Sequence, residues 1–574
     1  MRWSRAFLST AFLGIAITAS TQVTAPPDGT QRPGQVTGRG QAARARRPTG
    51  TASLRGTVVT ADTGAPLRRA HVRLSAPDLR DGRTTSTGAS GEFEFRDLPA
   101  GRYQLSASKT GFVQLSYGQR LSSDPSRTLQ LGDGETLRNV TLSLPRAGVI
   151  TGRLVDEFAE PIPDVMVQAF RWQYVRGRRR LTPAGRFAPS NDIGVYRVFG
   201  LAPGQYFVSA HSRGVGMGPD RAEDAVGFAP TYYPGTASVS EAQPVSVAVG
   251  QEVTADFQLV PGRLARVRGS ALDSTGRPLT SGSVSLALRV EGGWVSTFGG
   301  NADRIQDDGS FTLSGVPPGT YTLTASSSGR RGFGGPGEDG ERGALPLTVY
   351  GEDLDNVVVQ TSRAVPIRGR VITDEASATF SPQQVGVQLE SRDQDEGPMY
   401  FTGRASVGDD GTFELPAFPG ARFLRVTSLP DGWQLRRVLL GGEDVTDAGF
   451  EVKAGQAVPS LRVVLTSQVT ELSGSVTDPR GETVRDFTVA VFPEDRALLE
   501  LPSERYVRWA RSDQDGRYRV EGMPPGDYLI VAAEGLEDPR TVGPDAFDGL
   551  KAQATPVRLA DGERKVLPLK LASP

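Results

Sequence analysis

Residues 91–103 read Gly-Glu-Phe-Glu-Phe-Arg-Asp-Leu-Pro-Ala-Gly-Arg-Tyr, and this stretch carries the pattern that decides the fold. It consists of Gly-x-Phe, an apolar residue seven positions after the first glycine, and then Pro-x-Gly-x-Tyr. Tyr103, Leu105 and Ala107 then alternate with other residues, which is the two-residue period of a half-buried strand. Proline and glycine favour a tight turn before that strand. The stretch therefore predicts a strand, a turn and a second strand.

The same pattern occurs five times along the chain. The second copy shifts its proline by one position, and the fourth copy is the most divergent because it lacks the tyrosine. The copies are Gly91, Phe93, Leu98, Pro99, Gly101 and Tyr103; Gly194, Tyr196, Leu201, Pro203, Gly204 and Tyr206; Gly309, Phe311, Val316, Pro317, Gly319 and Tyr321; Gly411, Phe413, Phe418, Pro419, Gly420 and Phe423; and Gly516, Tyr518, Met523, Pro524, Gly526 and Tyr528.

An apolar run around a glycine precedes each copy, and the spacing of these opening glycines sets the domain organisation. Successive opening glycines are separated by 96, 117, 100 and 105 residues. A period near one hundred residues indicates complete small domains rather than a solenoid. Short strands and regular turn signals predict an all-β chain of five tandem antiparallel β-sandwich modules, each of about seven strands. The opening glycines are Gly56, Gly152, Gly269, Gly369 and Gly474.

The predicted modules follow a short amino-terminal region of different composition. Arg2 and Arg5 precede an uncharged, largely apolar stretch over 6–19, which is the plan of a secretory signal peptide. The predicted divisions are a signal peptide (1–25), a disordered basic linker rich in Pro, Gly and Arg (26–50), and modules 1 (51–147), 2 (148–264), 3 (265–364), 4 (365–469) and 5 (470–574). Export by this signal predicts a periplasmic, cell-surface or secreted protein with no transmembrane segment in the mature chain.

Composition excludes several classes of protein. The 574 residues include no cysteine, which excludes a disulfide framework, a thiol nucleophile and a thiolate metal site. The formal net charge is −1, so nothing global favours nucleic acid or an anionic membrane as a partner. Stability must therefore come from ordinary hydrophobic cores.

The opening run over 54–59 with Gly64 and Pro66, the central pattern and the closing Gly-Glu-Thr strand at 134–136 together resemble the carboxypeptidase regulatory-like domain. The resemblance implies a transthyretin-like (prealbumin-like) sandwich and a bacterial, exported tandem-repeat protein. It also implies an accessory module rather than a catalytic one. Related sandwiches serve as carbohydrate-binding domains, adhesin stalks and domains near the plug of outer-membrane transporters. Fold alone does not choose among these functions.

Motifs of catalysis and metal binding are sparse. A zinc carboxypeptidase needs His-x-x-Glu, but Leu74 and Gly214 follow the two histidines, His71 and His211, at that spacing. No Gly-x-Ser-x-Gly elbow occurs. We therefore expect no enzyme, no catalytic residue, no cofactor and no metal, although counting residues does not exclude a hydrolase based on two carboxylates.

Two further patterns have structural and functional interpretations. The glycine-rich segment 332–337 matches a dinucleotide fingerprint, but Pro336 and acidic residues follow it where a helix is required, so we interpret it as a loop. Acidic turns precede the central glycine in modules 3, 4 and 5, and these allow either calcium binding or turn formation by aspartate. The turn interpretation is favoured because aspartate stabilises such turns by bonding its own backbone, and modules 1 and 2 have Ser90 and Asn191-Asp192-Ile193 at this place instead.

Module 2 contains the best candidates for ligand contact. Phe170, Trp172 and Tyr174 alternate along one strand, and a run of arginines that includes Arg178 follows at a predicted hairpin tip. Aromatic faces stack on sugar rings, and arginines bind carboxylated or sulfated groups. Trp172, Tyr174 and Arg178 are therefore the candidate ligand-binding residues. The alternative is a strand that packs on its own module and ends in a solvated tip.

Three functions remain open from the sequence. The first is a non-catalytic extracytoplasmic protein that binds a glycan or a protein of the cell envelope. The second is a passive spacer or scaffold without a ligand site, and the third is an accessory subunit of a secreted hydrolase or outer-membrane transporter. A binding protein should present exposed aromatic rings, whereas a spacer should bury Trp172 and Tyr174.

Overall fold

The computed structural model describes most of the chain from residue 50 onward. The predicted signal peptide (1–25) and nearly all of the predicted linker (26–50) lie outside the described residues. The described residues are 50–76, 79, 82–122, 124–175, 178–212, 226–290, 293–295, 302–327, 340–375, 379–392, 404–501, 503–513, 515–536 and 539–572.

Module 1 shows the arrangement that the other modules vary. Its strands are β1 (Ala52–Thr60), β2 (His71–Ser75), β3 (Arg83–Ser86), β4 (Glu92–Leu98), β5 (Gly101–Ser108), β6 (Leu115–Ser116), β7 (Leu129–Leu131) and β8 (Thr136–Leu144). One sheet has the order β4-β1-β8, with β1 antiparallel to β4 and parallel to β8. The other has the order β3-β2-β5-β6, and β7 also pairs with β5. The turn between β4 and β5 therefore connects the two sheets.

Module 2 is the longest module. Its strands are β9 (Gly148–Val155), β10 (Val165–Val175), β11 (Arg178–Pro189), β12 (Val195–Leu201), β13 (Gly204–Ser212), β14 (Val226–Phe228), β15 (Thr231–Tyr232), β16 (Val245–Val247), β17 (Glu252–Thr254), β18 (Phe257–Gln258) and β19 (Pro261–Arg263). Its sheets have the orders β12-β9-β17 and β11-β10-β13-β15, with a separate pair β14-β19. β18 also pairs with β9, and β16 with β13.

Module 3 repeats the topology of module 1. Its strands are β20 (Ala265–Leu272), β21 (Gly282–Val290), β22 (Gly293–Val295), β23 (Ala302–Arg304), β24 (Ser310–Val316), β25 (Gly319–Ser327), β26 (Glu341–Val349), β27 (Leu354–Gln360) and β28 (Ser362–Arg363). The sheets have the orders β24-β20-β27 and β22-β21-β25-β26-β28, and β23 pairs with β21.

Module 4 keeps the same two sheets. Its strands are β29 (Val365–Thr373), β30 (Gly386–Ser391), β31 (Arg404–Ser406), β32 (Thr412–Ala417), β33 (Gly420–Ser428), β34 (Gln434–Leu440), β35 (Glu443–Asp444), β36 (Phe450–Val452) and β37 (Leu461–Thr466), with a short 3-10 helix at Pro382–Gln384. The sheets have the orders β32-β29-β37-β34-β35 and β31-β30-β33-β36.

Module 5 adds a helix to the sandwich. Its strands are β38 (Glu471–Thr477), β39 (Thr483–Val484), β40 (Thr488–Pro493), β41 (Arg508–Arg511), β42 (Arg517–Glu521), β43 (Gly526–Ala533), β44 (Thr555–Leu559), β45 (Arg564–Val566) and β46 (Leu569–Lys570), with a 3-10 helix at Arg496–Leu499 and helix α1 at Pro539–Lys551. The sheets have the orders β39-β38-β42 and β41-β40-β43-β44, and β45 and β46 also pair with β38.

The predicted all-β sandwich class is confirmed, with two differences in detail. Module 1 has eight described strands and the other modules have more, where the sequence predicted about seven. The first strand of every module also pairs in parallel with a late strand, so the modules are not wholly antiparallel. Parallel neighbours need a long connection, and here almost the whole module supplies it. Alternation of apolar residues has the same period in both directions, so the sequence did not show this pairing.

Glycine is required at the repeated positions for two different reasons, backbone conformation and close packing. The central glycine of module 3, Gly309, has a φ of 83°, a conformation that side chains disfavour. The opening glycine Gly269 instead lies under the ring of Phe311. A Cβ atom at Gly269 would stand 2.7 Å from the ring Cζ and 1.9 Å from the carbonyl oxygen of Val357. The two glycines therefore build the domain and are not parts of a ligand site.

A tyrosine closes the turn between the two sheets in four of the repeats. In module 3 the hydroxyl of Tyr321 donates to the carbonyl oxygen of Pro317 at 2.9 Å. The ring is buried, so the bond satisfies a hydroxyl that has no water to bind. The tyrosines that make the same bond to the residue four positions earlier are Tyr103, Tyr206 and Tyr528.

Module 4 closes the same turn with an arginine. Arg422 is fully buried, and its Nε donates to the carbonyl oxygen of Phe418 at 3.0 Å. Its Nη2 donates to the carbonyl oxygen of Pro419 at 2.6 Å. Arg422 stands two residues after the turn glycine, where the other modules have tyrosine. The assignment of Phe423 to this place from the sequence pattern is therefore wrong.

Five large hydrophobic clusters are present among the described residues, and their buried members come from one predicted module each. They span Ala52 to Ala147, Ile150 to Leu259, Ala265 to Val359, Val365 to Leu465, and Leu472 to Leu569. The module boundaries 51–147, 148–264, 265–364, 365–469 and 470–574 remain a proposal, which these clusters and the recurring sheet order support. The names modules 1 to 5 are used for these segments below.

Candidate functional site

A hairpin of module 2 extends beyond its sandwich. β10 pairs with β13 only over Val165 to Phe170, whereas its pairing with β11 continues to Val175. Residues 171–175 and 178–182 therefore form a two-stranded extension, called the hairpin arm below. The arm accounts for part of the extra length of module 2.

Trp172 lies on the outer face of this hairpin and is half-buried. Its ring meets Phe207 edge-on, with 6.3 Å between the ring centroids. The guanidinium of Arg179 lies over the same ring, 4.4 Å from its centroid. The neighbouring Phe170 is fully buried and packs with Tyr232 in a small apolar cluster that Trp172 joins. The ring of Trp172 is therefore engaged by its own module.

Arg178 does not join Trp172 and Tyr174. The register pairs Tyr174 with Arg179 and Val175 with Arg178. Since side chains alternate between the two faces of a strand pair, Arg178 lies on the face opposite Trp172 and Tyr174. Arg179, rather than Arg178, is therefore the arginine next to the tryptophan. A bulge between Val167 and Ala169 contributes to this register, and it was not visible in the sequence.

Tyr174 lies at a junction between modules. Its ring packs against Gly543 of helix α1 in module 5, where a Cβ atom would come within 2.2 Å of the ring. Gly543 interrupts the helix with a φ of 70° and precedes Pro544. Glycine is therefore required at position 543 both by the backbone conformation and by the packing of the tyrosine ring. The contact also shows that the hairpin arm reaches from module 2 to module 5.

Modules 1, 2 and 5 line a half-open cavity of about 620 Å³, called the junction cavity below. The rings of Tyr174, Trp509 and Phe547 and the side chain of Arg508 belong to its wall. Arg508 and Trp509 are consecutive on β41, which is an edge strand, and they point to opposite faces. The cavity therefore runs around the edge of a sheet, with an arginine on one side and aromatic rings on the other.

A cluster of charges joins modules 1 and 5 beside this cavity. Asp486 of module 5 accepts from Arg120 and Arg127 of module 1, each at 2.8 Å, and from Arg511 at 2.8 Å. Partial burial raises the pKa of Asp486, but the hydrogen bond and charge of Arg511 and the charges of Arg127 and Arg120 outweigh it. The pKa of Asp486 therefore lies below its ordinary value. Asp124 of module 1 also lies 3.7 Å from Arg511.

Three arginines of module 5 are spaced three residues apart and differ in their partners. Arg505 pairs with Asp447 of module 4 at 2.9 Å, and Arg511 pairs with Asp486. Arg508, between them, donates from Nη1 to the backbone carbonyl oxygens of Glu504 and Val507. Within the described part of the chain, no carboxylate lies in ion-pair distance of Arg508.

The electrostatic environment of Arg508 follows from its burial. Burial lowers the pKa of Arg508, and the charge of Arg505 acts in the same direction, while Tyr528 and Glu504 oppose the shift. A guanidinium that is removed from water without a counterion is costly unless another group compensates it. Arg508 is therefore the charge in the junction cavity that the protein itself leaves least compensated.

A second cavity of about 770 Å³ lies between modules 1, 4 and 5, and Arg508 lines it as well. Its other arginines are largely matched by carboxylates. Glu521 binds Arg102 at 2.9 Å and Arg519 at 2.6 Å. Arg505 is held by Asp447. Since Arg102, Arg505 and Arg519 are matched, the junction cavity, with its three aromatic rings, is the stronger candidate for a site.

The acidic turns have a structural explanation in the hydrogen bonds. Oδ1 of Asp308 accepts from the backbone N–H of Ser310 at 2.9 Å, and Oδ1 of Asp410 accepts from that of Thr412 at 3.0 Å. Oδ1 of Asp513 accepts from two backbone N–H groups in the same way. These carboxylates cap the turn that precedes the central glycine. Over the described ranges, no group of three or more His, Asp or Glu side chains is arranged to hold a metal ion.

Sequence reasoning missed most of the junction cavity. Trp509 is a single tryptophan without a repeated pattern around it, and no motif marks Arg508 or Phe547. The glycine-rich segment 332–337 lies outside the described residues. The spacing of Arg505, Arg508 and Arg511 was the one signal in the sequence that could have pointed to this strand.

The comparisons with known proteins bear on the fold. The family described as carboxypeptidase regulatory-like domain matches residues 53–144 and 471–571, which confirms the resemblance in these two segments. None of the curated proteins matches this sequence. In the described residues no helix combines the length and apolar composition needed to cross a membrane.

Several solved structures are distantly similar to this chain. A streptococcal ancillary pilin is 15% identical, with 54% of this chain and 98% of that chain covered and a TM-score of 0.19. The minor pilin of Streptococcus agalactiae is 14% identical, with 36% and 95% covered and a TM-score of 0.20. Two B repeat units of the collagen-binding protein of Staphylococcus aureus are 12% identical, with 72% and 99% covered and a TM-score of 0.13. At these scores no property of those proteins is transferred to this chain.

Proposed function

We propose that this chain, whose first and last modules match the carboxypeptidase regulatory-like domain, is a non-catalytic binding protein with its ligand site in the junction cavity. The observation that carries the proposal is the wall of that cavity. Three aromatic rings and an arginine without a carboxylate partner among the described residues converge there from modules 2 and 5. Apolar rings with a few placed polar groups are typical of ligand sites.

The proposal includes a compartment and a class of partner. The uncharged stretch over 6–19 after Arg2 and Arg5 supports export, so we place the protein in the periplasm, on the cell surface or outside the cell. A glycan or an envelope protein is the partner class that fits this compartment. Trp172 and Arg178 stay predicted contact residues, but the position of Tyr174 in the cavity wall makes it the strongest of the three.

An array of glycans and envelope peptides tests the binding function. Ser126 of module 1 lines the junction cavity, and Ser126→Trp is expected to obstruct it and to abolish any specific signal. Ser143→Trp is the matched control, because Ser143 belongs to the same module and is exposed on β8. A signal that survives Ser126→Trp, or the absence of any specific signal, would contradict the proposal.

A passive scaffold is a second candidate, and the charge cluster at Asp486 favours it. That cluster fixes module 1 on module 5, which is what a spacer of defined geometry needs. Asp486→Asn is expected to loosen this contact and to increase the radius of gyration in small-angle X-ray scattering. Glu482→Gln, an exposed change in the same module, is the control and should leave the radius unchanged. An unchanged radius for Asp486→Asn would show that the cluster does not hold the modules together.

A further inference from the structure

We infer that the ligand of the junction cavity is a carboxylated oligosaccharide whose carboxylate binds Arg508. This inference rests on the proposed function and adds the chemical class of the ligand. The charge that the cavity leaves open, the polar side chains in its wall and its aromatic rings all favour such a ligand.

The charge of Arg508 has no carboxylate partner among the described residues. Arg505 and Arg511 each have a carboxylate of the protein within 3 Å, whereas Arg508 has two backbone carbonyl oxygens instead. Two carboxylates of the described residues line the cavity, but neither lies in ion-pair distance of Arg508, and only the charge of Glu504 acts on it. Asp124 is held by backbone N–H groups and Arg511, and Glu504 lies 3.7 Å from Arg425. An anionic group of the ligand would therefore complete the site.

The free edge of Arg508 defines the shape of that anionic group. Only Nη1 donates to the protein in the described structure, and the remaining N–H groups are not sealed from solvent. Nε and Nη2 form the edge of a guanidinium that binds a carboxylate through two parallel hydrogen bonds. A planar carboxylate fits this edge.

The rest of the wall favours a saccharide. Gln104, Ser126 and Thr128 of module 1 face the cavity, and none of their side chains bonds to the protein within the described residues. Such amide and hydroxyl groups suit a ligand that is rich in hydroxyls. Tyr174, Trp509 and Phe547 offer apolar faces of the kind on which sugar rings stack. Because the cavity runs around the edge strand β41, an oligosaccharide reaches both sides and a single sugar does not.

Isothermal titration of the purified exported protein with three probes tests the inference. The probes are trigalacturonate, neutral galactotriose and triglutamate, each at low and at high salt. We expect trigalacturonate to bind with an affinity that falls as salt rises, and the other two probes to bind at least about tenfold more weakly, because a charge-assisted bidentate bond is lost or misplaced.

Variants connect the binding to Arg508. Arg508→Gln is expected to weaken trigalacturonate binding at least about tenfold, and Arg508→Lys to recover part of the loss as a point charge. Arg564→Gln is the matched control, because Arg564 is an exposed arginine of the same module and lines only the second cavity. Circular dichroism and the thermal midpoint confirm that each variant is folded.

The outcomes separate this inference from the proposed function. If galactotriose binds as tightly as trigalacturonate, or if Arg508→Gln has no effect on binding, the inferred contact between a ligand carboxylate and Arg508 is wrong. Ser126→Trp then still tests whether the cavity is the ligand site. If triglutamate binds as tightly as trigalacturonate, the inference that the ligand is a saccharide is wrong. If no probe binds but the array shows a ligand that Ser126→Trp abolishes, only the inference fails; if neither is seen, the proposed function fails with it.

Discussion

In modules 1, 2, 3 and 5 the turn between the two sheets is held by a tyrosine, whereas in module 4 it is held by Arg422. The tyrosine hydroxyl makes one hydrogen bond to a carbonyl oxygen four residues earlier, as Tyr321 does to Pro317. Arg422 makes that bond and a second one to the carbonyl oxygen of Pro419. The comparison teaches that the turn requires a buried donor at this position, not an aromatic ring.

The tyrosine and the arginine differ in the desolvation free energy that their burial requires. A buried tyrosine fills space with a ring and has a single polar atom to satisfy, whereas a buried guanidinium brings a charge and five N–H groups into the core. Arg422 is fully buried all the same, so its two backbone bonds must compensate much of the desolvation. Module 4 therefore depends on one side chain more strongly than the other modules do.

Removal of the arginine is expected to have the largest effect. Arg422→Ala leaves a cavity and removes the donors to two carbonyl oxygens, so we expect the free energy of unfolding of module 4 to fall by about 3–5 kcal/mol. The chain has no cysteine, so a single cysteine at Ala417 in the core of module 4 reports local opening through its rate of thiol labelling. A cysteine at Ala325 in module 3 serves as the control and should label at an unchanged rate.

Exchange of one donor for the other tests the equivalence directly. Arg422→Tyr is expected to restore the bond to the carbonyl oxygen of Phe418, and therefore to destabilise module 4 by only about 1–2 kcal/mol relative to the wild type. The rate of thiol labelling of a cysteine at Ala417 measures this destabilisation of module 4. A loss as large as that of Arg422→Ala would show that module 4 needs the charge or the second bond.

Alkaline pH should separate the two kinds of module. Burial raises the pKa of Tyr321, so above pH 10 the unfolded state loses a proton that the folded state keeps. The contribution of Tyr321 to stability is therefore complete well below pH 10 and decreases as pH rises, by about 1.4 kcal/mol at pH 11. The opening rate at Ala325→Cys, measured from pH 8 to pH 11, should rise in the wild type and stay flatter in Tyr321→Phe.

The smallest effect is expected from removal of one hydroxyl. Tyr321→Phe keeps the ring and loses one hydrogen bond, so the free energy of unfolding of module 3 should fall by about 0.5–1.5 kcal/mol near pH 7. Urea dependence of labelling at Ala325→Cys gives the value. Tyr117→Phe, a change in module 1, is the control, and an equal effect on module 3 would show that the probe is not local.

The repeat itself was readable from the sequence because its physics is local. The glycine, proline and tyrosine positions follow from a turn and its two strands, and the alternation after Gly319 gave the strand that contains Tyr321. The role of Arg422 could not be predicted, because no propensity marks an arginine as a core residue. The backbone carbonyl groups that it binds come together only in the folded turn.

The candidate site was much harder to predict. Tyr174 and Gly543 are more than three hundred residues apart, and their contact depends on how complete modules pack, which no local pattern encodes. The face on which Arg178 lies could not be predicted from the sequence, because it depends on the pairing register of two strands rather than on composition. Single-sequence patterns therefore identified the modules and missed the space between them.

The parallel pairing of the first and last strands has a mechanical consequence. In module 1 the chain enters β1 near Ser53, which pairs with Thr136, and leaves β8 at Leu144, which pairs with Thr60 at the far end of β1. Tension applied through the neighbouring segments therefore pulls the two strands along their length in opposite directions. The hydrogen bonds between them share that load and break together instead of opening one after another from an end. Each module is thus built to resist stretching along the direction in which the chain passes through it.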